Sequence, residues 1–162
     1  MSVSKSIVEN YGAITIWAIR LAELQDSTWF KPIAEGKAST ADIISHLKNW
    51  DQYLITNVIP SVRSGNGVEF PDFDPFNAAA YAYARSGVTQ NELLNEFCAT
   101  RKALCKLLLE LGDEVLKRHV TANGVKLCPH TGAPYTLLSI IQEFTDHDNY
   151  HKGQIEQALS EV

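Results

Sequence analysis

Four segments of this chain place apolar residues every three to four positions, the spacing that gathers them on one face of an α-helix. The first runs from about Ser4 to Asp26, with Ile7, Tyr11, Ile14, Trp17, Ala18 and Leu21 in one stripe. The second opens at Ser39 or Thr40, N-cap candidates followed by Asp42, and turns Ile43, Leu47, Trp50, Leu54 and Val58 inward. Pro60 should end or kink it. The third opens at Thr89, where Glu92 completes a capping box. Its stripe is Leu94, Phe97, Arg101, Leu104, Leu108 and Leu111, and Gly112 follows. The fourth opens after Pro134, at Tyr135 or Thr136, and runs to about Leu159. Four amphipathic helices bury their stripes by packing on one another, so the expected fold is an all-α four-helix bundle.

The connections are uneven. Between the second and third helices lie roughly 25 residues, RSGNGVEFPDFDPFNAAAYAYARSG, against the 2–8 typical of adjacent antiparallel helices. Asp74-Pro75 before FNAAAYAYAR predicts a short helix inside it, with Asp74 as cap and Pro75 at its first position. A crossover this long can traverse the bundle and let helices two and three run parallel. Between the third and fourth helices, Asn123-Gly124 between short apolar runs predicts a small hairpin or turn.

A length of 162 residues with 45% hydrophobic side chains suits one domain spanning residues 1–162 around a single core. The net charge of −5 and the absence of a basic block argue against a nucleic-acid surface. Scattered Lys and Arg argue against membrane-surface binding, and no run of about 18 apolar residues offers a span. The apolar N-terminal patch is interrupted by Arg20 and Glu23 and lacks a small-residue cleavage site, so a cytoplasmic location is expected. Cys98 and Cys105 lie two helical turns apart, about 10 Å by rise and too far for a disulfide. With Cys128 they read as free thiols in a reducing compartment, with no CxxC motif to suggest redox work.

The chemistry concentrates in TDHDNYHKGQIEQAL. His147 and His151, spaced i, i+4, emerge on one helix face, a geometry that offers two imidazoles to one metal ion. His151 projects near the centre of the apolar stripe and His147 at its edge. Two ligands are too few for a tight site, and histidines bonded to a carbonyl or carboxylate would fit the same pattern. Three further histidines are available. His46 projects to the border of its stripe, a position that suits a third ligand and an ordinary surface residue equally. His119 follows Lys117 and Arg118 at a helix end, where it reads as solvated. His130, two residues after Cys128, could make a C-x-H half site, but with no further Cys nearby it reads as a loop residue near a pocket rim.

HLKNWD in the second helix, T-x-x-E-L opening the third and HDNYHKGQI in the last together resemble the DinB-like (YfiT-type) four-helix metalloproteins, over nearly the whole chain. That resemblance implies an up-down-down-up bundle with a long crossover between helices two and three. It also implies a divalent-metal site on His46, His147 and His151. The chain departs from it at Tyr150, where many relatives carry a further histidine.

Three neutral imidazoles would leave a metal its full charge and an open position, which favours catalysis or ligand binding over a closed structural site. Imidazole suits Zn or Ni first, with Fe, Mn or Cu as alternatives. Such an ion could generate a nucleophilic water or present a low-molecular-weight thiol as thiolate, and the family resemblance, which includes thiol-dependent S-transferases, favours the thiol. The expected function is therefore a metal-dependent enzyme, a thiol transferase or hydrolase acting on a small-molecule substrate. The alternatives are a stress-response or interaction protein with a structural metal, or a plain helical scaffold. The resemblance and the apolar first helix suggest a homodimer.

Asp51, Glu143, Asp146, Asp148 and Gln154 are candidates for holding imidazole N–H groups, although Asp146 and Asp148 read equally as helix-surface charge. Trp50 and Tyr150 are candidate pocket residues or simple packing. Arg101, on an inward face, must snorkel to solvent or meet a buried carboxylate, with Glu9 and Glu23 as candidate partners. No general acid or base stands out.

Overall fold

The computed structural model describes residues 2–161 and is helical throughout its main elements. In chain order they are α1 (Val3–Gly12), α2 (Ile14–Ala18), α3 (Asp26–Trp29), α4 (Thr40–Tyr53), α5 (Ile59–Arg63), α6 (Phe73–Ala84), α7 (Gln90–Leu111), α8 (Asp113–Leu116) and α9 (Leu137–Ser160). The expected first helix is broken rather than continuous. It starts from Ser2, whose hydroxyl accepts from Lys5 N, bends at Ala13 and tightens into a 3₁₀ turn over Ile19–Glu23. Gly12 faces α7 closely, since a Cβ there would meet Cys105 Sγ at 3.2 Å.

The capping signals work as written. Ser39 and Asp42 form a reciprocal box at the start of α4, and Thr89 and Glu92 form another at α7. Thr136 pairs with Ser139 at α9. Pro60 does not stop the second helix. A π turn over Leu54–Val58 widens the helix just ahead of it, and α5 carries the chain on to Arg63. Asp72, not Asp74, stands at the N-cap of the crossover helix α6, without a side-chain cap bond, and Asp74 and Pro75 fall in its first turn.

Cross-helix contacts fix the directions. Lys48 pairs with Glu96 and Asp51 with Arg101, so α4 and α7 run the same way. Gln90 donates to Leu21 O while Cys105 meets Val8 O, so the first helix runs against α7. His46 meets His151 and Trp50 meets Phe144, which sets α9 against α4. The crossover makes the parallel pair feasible: α6 lies along α4, with Ser45 Oγ donating to Ala80 O at 2.6 Å.

The apolar interior is in two parts. One cluster includes Val8, Leu54, Leu104, Leu108 and Ile141, and the other Ile14, Leu47, Trp29, Phe97 and Ile155. Between them, at the level of residues 11, 51, 101 and 148, lies a polar belt. Arg101 is fully buried there. Its Nε and Nη2 grip Asp51 at 2.8 and 3.0 Å, and its Nη1 donates to Asp148 Oδ2 and to Tyr11 O, both at 2.8 Å. The Tyr11 ring stacks 3.7 Å from the guanidinium, and its hydroxyl donates to Asp51 Oδ1. Arg101 thus meets buried carboxylates, but Asp51 and Asp148 rather than Glu9 or Glu23. Asp148 is correspondingly no surface charge.

Candidate metal centre

α4 supplies His46 and α9 supplies His147 and His151, four residues apart on one face as the spacing requires. His46 is buried, and the border position on its helix is covered by the crossover, whose Tyr81 ring lies 6.3 Å from the imidazole. His147 and His151 are half-buried. One nitrogen from each ring lies within 4.8 Å of the others. His147 Nε2 sits at the centre, 3.2 Å from His46 Nε2 and 3.1 Å from His151 Nε2.

This arrangement fits a divalent ion. Three nitrogens on a tetrahedral ion with bonds of about 2.0–2.1 Å stand about 3.3 Å apart, close to the spacings found. Without an ion, three facing acceptors would lack a common donor. Protonation does not supply it easily. Burial lowers the His46 imidazole to about 3, helped by the neighbouring His147 and His151. Burial likewise lowers His147 to about 4, with His151 and Arg101 adding to it, and His151 shifts in the same direction. All three rings are therefore neutral at pH 7, the form a metal takes.

The supporting contacts differ from expectation. Gln154 does hold an imidazole: His151 Nδ1 bonds its Oε1 at 2.8 Å, which directs the lone pair of Nε2 inward. Tyr150 is exposed and accepts from Gln154 Nε2 at 3.3 Å, so it steadies this amide instead of lining a pocket. Asp51 serves Arg101. Asp148 joins both systems, with one oxygen on Arg101 and the other 4.0 Å from His147 Nδ1. Burial pushes its carboxyl up to about 7 despite that guanidinium. Asp146 is exposed. Glu143 accepts the Cys128 thiol at 2.8 Å and faces open space on both sides. The Nδ1 atoms of His46 and His147 have no hydrogen-bond partner among the described residues.

Beside the triad opens a cavity of about 540 Å³ with His46 and His147 in its wall. Trp50, Phe70, Phe73, Phe144 and Tyr135 give it aromatic sides, and Asn77, Asn123 and Glu143 its polar points. Trp50 thus lines the pocket as well as packing, with Phe76 stacked on it at 4.2 Å. The floor is tied down by a hairpin in which Asn123 and Gly124 have φ of 49° and 80°, as a two-residue turn of that type needs. Asn123 Oδ1 accepts from Phe70 N at 2.7 Å, and Val68 bonds Thr121 and Asn123. A larger cavity of about 630 Å³ lies across Glu143, against Cys128, His130 and Asp146, and no triad histidine lines it. His130 therefore borders that second space, and His119 is exposed away from the triad. Cys105 is pushed up to about 11 by burial and Cys98 is raised for the same reason, which leaves both as unreactive thiols.

No helix among the described residues is long and apolar enough to cross a membrane. No curated protein matches the chain by sequence. Among solved structures it is similar to YfiT from Bacillus subtilis, described as a probable metal-dependent hydrolase with an unusual four-helix bundle topology. The two share 16% identity with a TM-score of 0.66, over 98% of this chain and 87% of that one. The sequence profile of the DinB superfamily matches residues 13–155, most of the length. With a four-helix bundle carrying a three-histidine cluster, the chain belongs to the DinB superfamily.

Proposed function

We propose that this protein is a metal-dependent enzyme that holds a divalent ion, zinc or nickel in first place, on His46, His147 and His151. The observation that carries the reading is the convergence of three neutral Nε2 atoms, 3.1 and 3.2 Å apart, at the wall of a cavity able to admit a small molecule. When bound there, an ion with an open position would lower the pKa of a water or a thiol and so supply a nucleophile near neutral pH. The chain's own contribution is orientation. Gln154 sets the tautomer of His151, and the Arg101 belt holds α4 and α9 in register. The aromatic walls give a guest an apolar surface to lie against beside the ion. The hydrolase description of YfiT supports water as one nucleophile. The family resemblance of the motifs supports a low-molecular-weight thiol, and we favour transfer of that thiol to a small electrophile.

Metal analysis of protein prepared without a histidine tag tests the first part. About one ion per chain, or its uptake on adding zinc or nickel, is expected, and less than about 0.2 with no gain would refute the site. His147→Ala tests the second. An open working site predicts a modest change in melting with loss of thiol binding, whereas a large drop in melting temperature would mark the ion as structural.

A further inference from the structure

The wall of the cavity beside the triad is selective. Its sides are aromatic, and Phe73 among them is 61% exposed, so that its ring is open to a guest. None of the chain's 14 lysines and arginines lines it, and Glu143 is the one carboxylate that does. The two amides in the wall have their carbonyl oxygens engaged. Asn77 Oδ1 accepts from the Trp50 indole at 3.3 Å, and Asn123 Oδ1 from Phe70 N at 2.7 Å. Both amide nitrogens are left as the donors these side chains can offer a guest. A carboxylate carried on the body of a guest in this space would meet no Lys or Arg of the protein, and the nearest charge in the wall would be Glu143, of like sign.

From this we infer that the substrate is a molecule with an uncharged or cationic body, flat and aromatic or alicyclic. Its body lies against the aromatic wall of Phe70, Phe73 and Phe144 while a metal-ligating oxygen, nitrogen or sulfur points at the triad. A negative charge on the body, away from the ion, is disfavoured by Glu143 and by the absence of Lys and Arg from the wall. The volume of about 540 Å³ falls within the about 300–1,000 Å³ typical of small-molecule sites, so one ring system with short substituents fits. This inference rests on the open metal site proposed above.

Hydroxamates separate the two, because they ligate a metal through a head that is constant while the body varies. Titration calorimetry on zinc-loaded protein would compare benzohydroxamate, acetohydroxamate and 4-carboxybenzohydroxamate, each corrected for its affinity for free zinc. The expected result is benzohydroxamate at least tenfold tighter than acetohydroxamate and at least tenfold tighter than the carboxylated probe. Phe73→Ala, a change at an exposed position, should cut the first preference to about threefold, and Glu143→Gln should narrow the second. Equal binding of benzohydroxamate and acetohydroxamate would overturn the substrate class and leave the open ion standing. Binding of none of the three by protein shown to contain zinc would overturn the open site itself, and the substrate class with it.

Discussion

Replacing Arg101 by Met should cost this protein more than almost any other single change. The guanidinium makes four hydrogen bonds, all to groups buried in the bundle: two to Asp51, one to Asp148 and one to Tyr11 O. Met matches much of its length and apolar stem, so packing against the Tyr11 ring is partly kept. What is lost is the single cation facing two carboxylates whose side chains are 1% and 4% exposed. Breaking a buried ion pair from one side typically costs about 3–5 kcal/mol. For 162 residues the unfolding entropy near 60 °C is about 0.34 kcal/mol/K, so the melting temperature should fall by about 9–15 °C. The assay is thermal and urea unfolding with a chelator present, so that metal uptake does not shift the curves. A second signature concerns pH. Asp51 and Asp148 already have raised pKa values from burial, and without Arg101 they rise further. The folded variant then binds more protons than its unfolded chain, so its deficit should shrink as pH falls from 8 to 5. Adding Asp51→Asn and Asp148→Asn should restore at least half of the loss. A deficit under about 1 kcal/mol, or a triple variant no more stable than the single one, would refute the reasoning.

Three further outcomes follow from the same geometry. Zinc affinity, read by competition with a chromophoric chelator, should change by less than about tenfold between pH 7.5 and 5.5, because His46 and His147 are lowered to about 3 and 4 and His151 shifts in the same direction; a loss of about a thousandfold would show three ordinary, solvated imidazoles. The folding of the metal-free protein should behave oppositely: these depressed values stabilise it fully above about pH 6.5, and that stability drains away as pH falls toward 4 and then 3, visible as a falling urea midpoint. Gln154→Leu, which frees His151 Nδ1, should weaken zinc binding about 10–100-fold with little change in melting, and an unchanged affinity would show that the amide does not orient the ring.

The helices and their caps were legible because each depends on residues within four positions of itself. Ser39 with Asp42 and Thr89 with Glu92 needed no distant information. The same local logic gave His147 and His151 a common face and named Gln154 as a partner. It could not decide His46, because a wheel reports where a residue points on its own helix and not what lies over it. The crossover helix, with Tyr81, is what buries that ring. Arg101 posed the same difficulty more sharply: its inward face required a carboxylate, but Asp51 and Asp148 lie 50 and 47 positions away and become neighbours only when α4, α7 and α9 meet. Asp148, read from its place beside His147 as equally a surface charge, is buried, with one oxygen on Arg101 and the other 4.0 Å from His147 Nδ1. It reaches α7 instead of water because α9 is enclosed on more than one side. Glu143 looked like a ligand support from its spacing one turn before His147, yet it faces open space on the cavity wall. Spacing alone could not show that the loop carrying Cys128 closes against it.

The division of labour between bundle and connections has an evolutionary reading. The imidazoles stand on α4 and α9, anchored by the belt, while Phe70, Phe73, Asn77, Asn123 and Tyr135 belong to the two excursions that join the helices. Insertions and exchanges in such excursions are tolerated far better than changes in packed helices. A lineage built this way can keep its reactive centre fixed and acquire a new guest by rewriting two surface segments, so relatives alike in their histidines need not share a substrate.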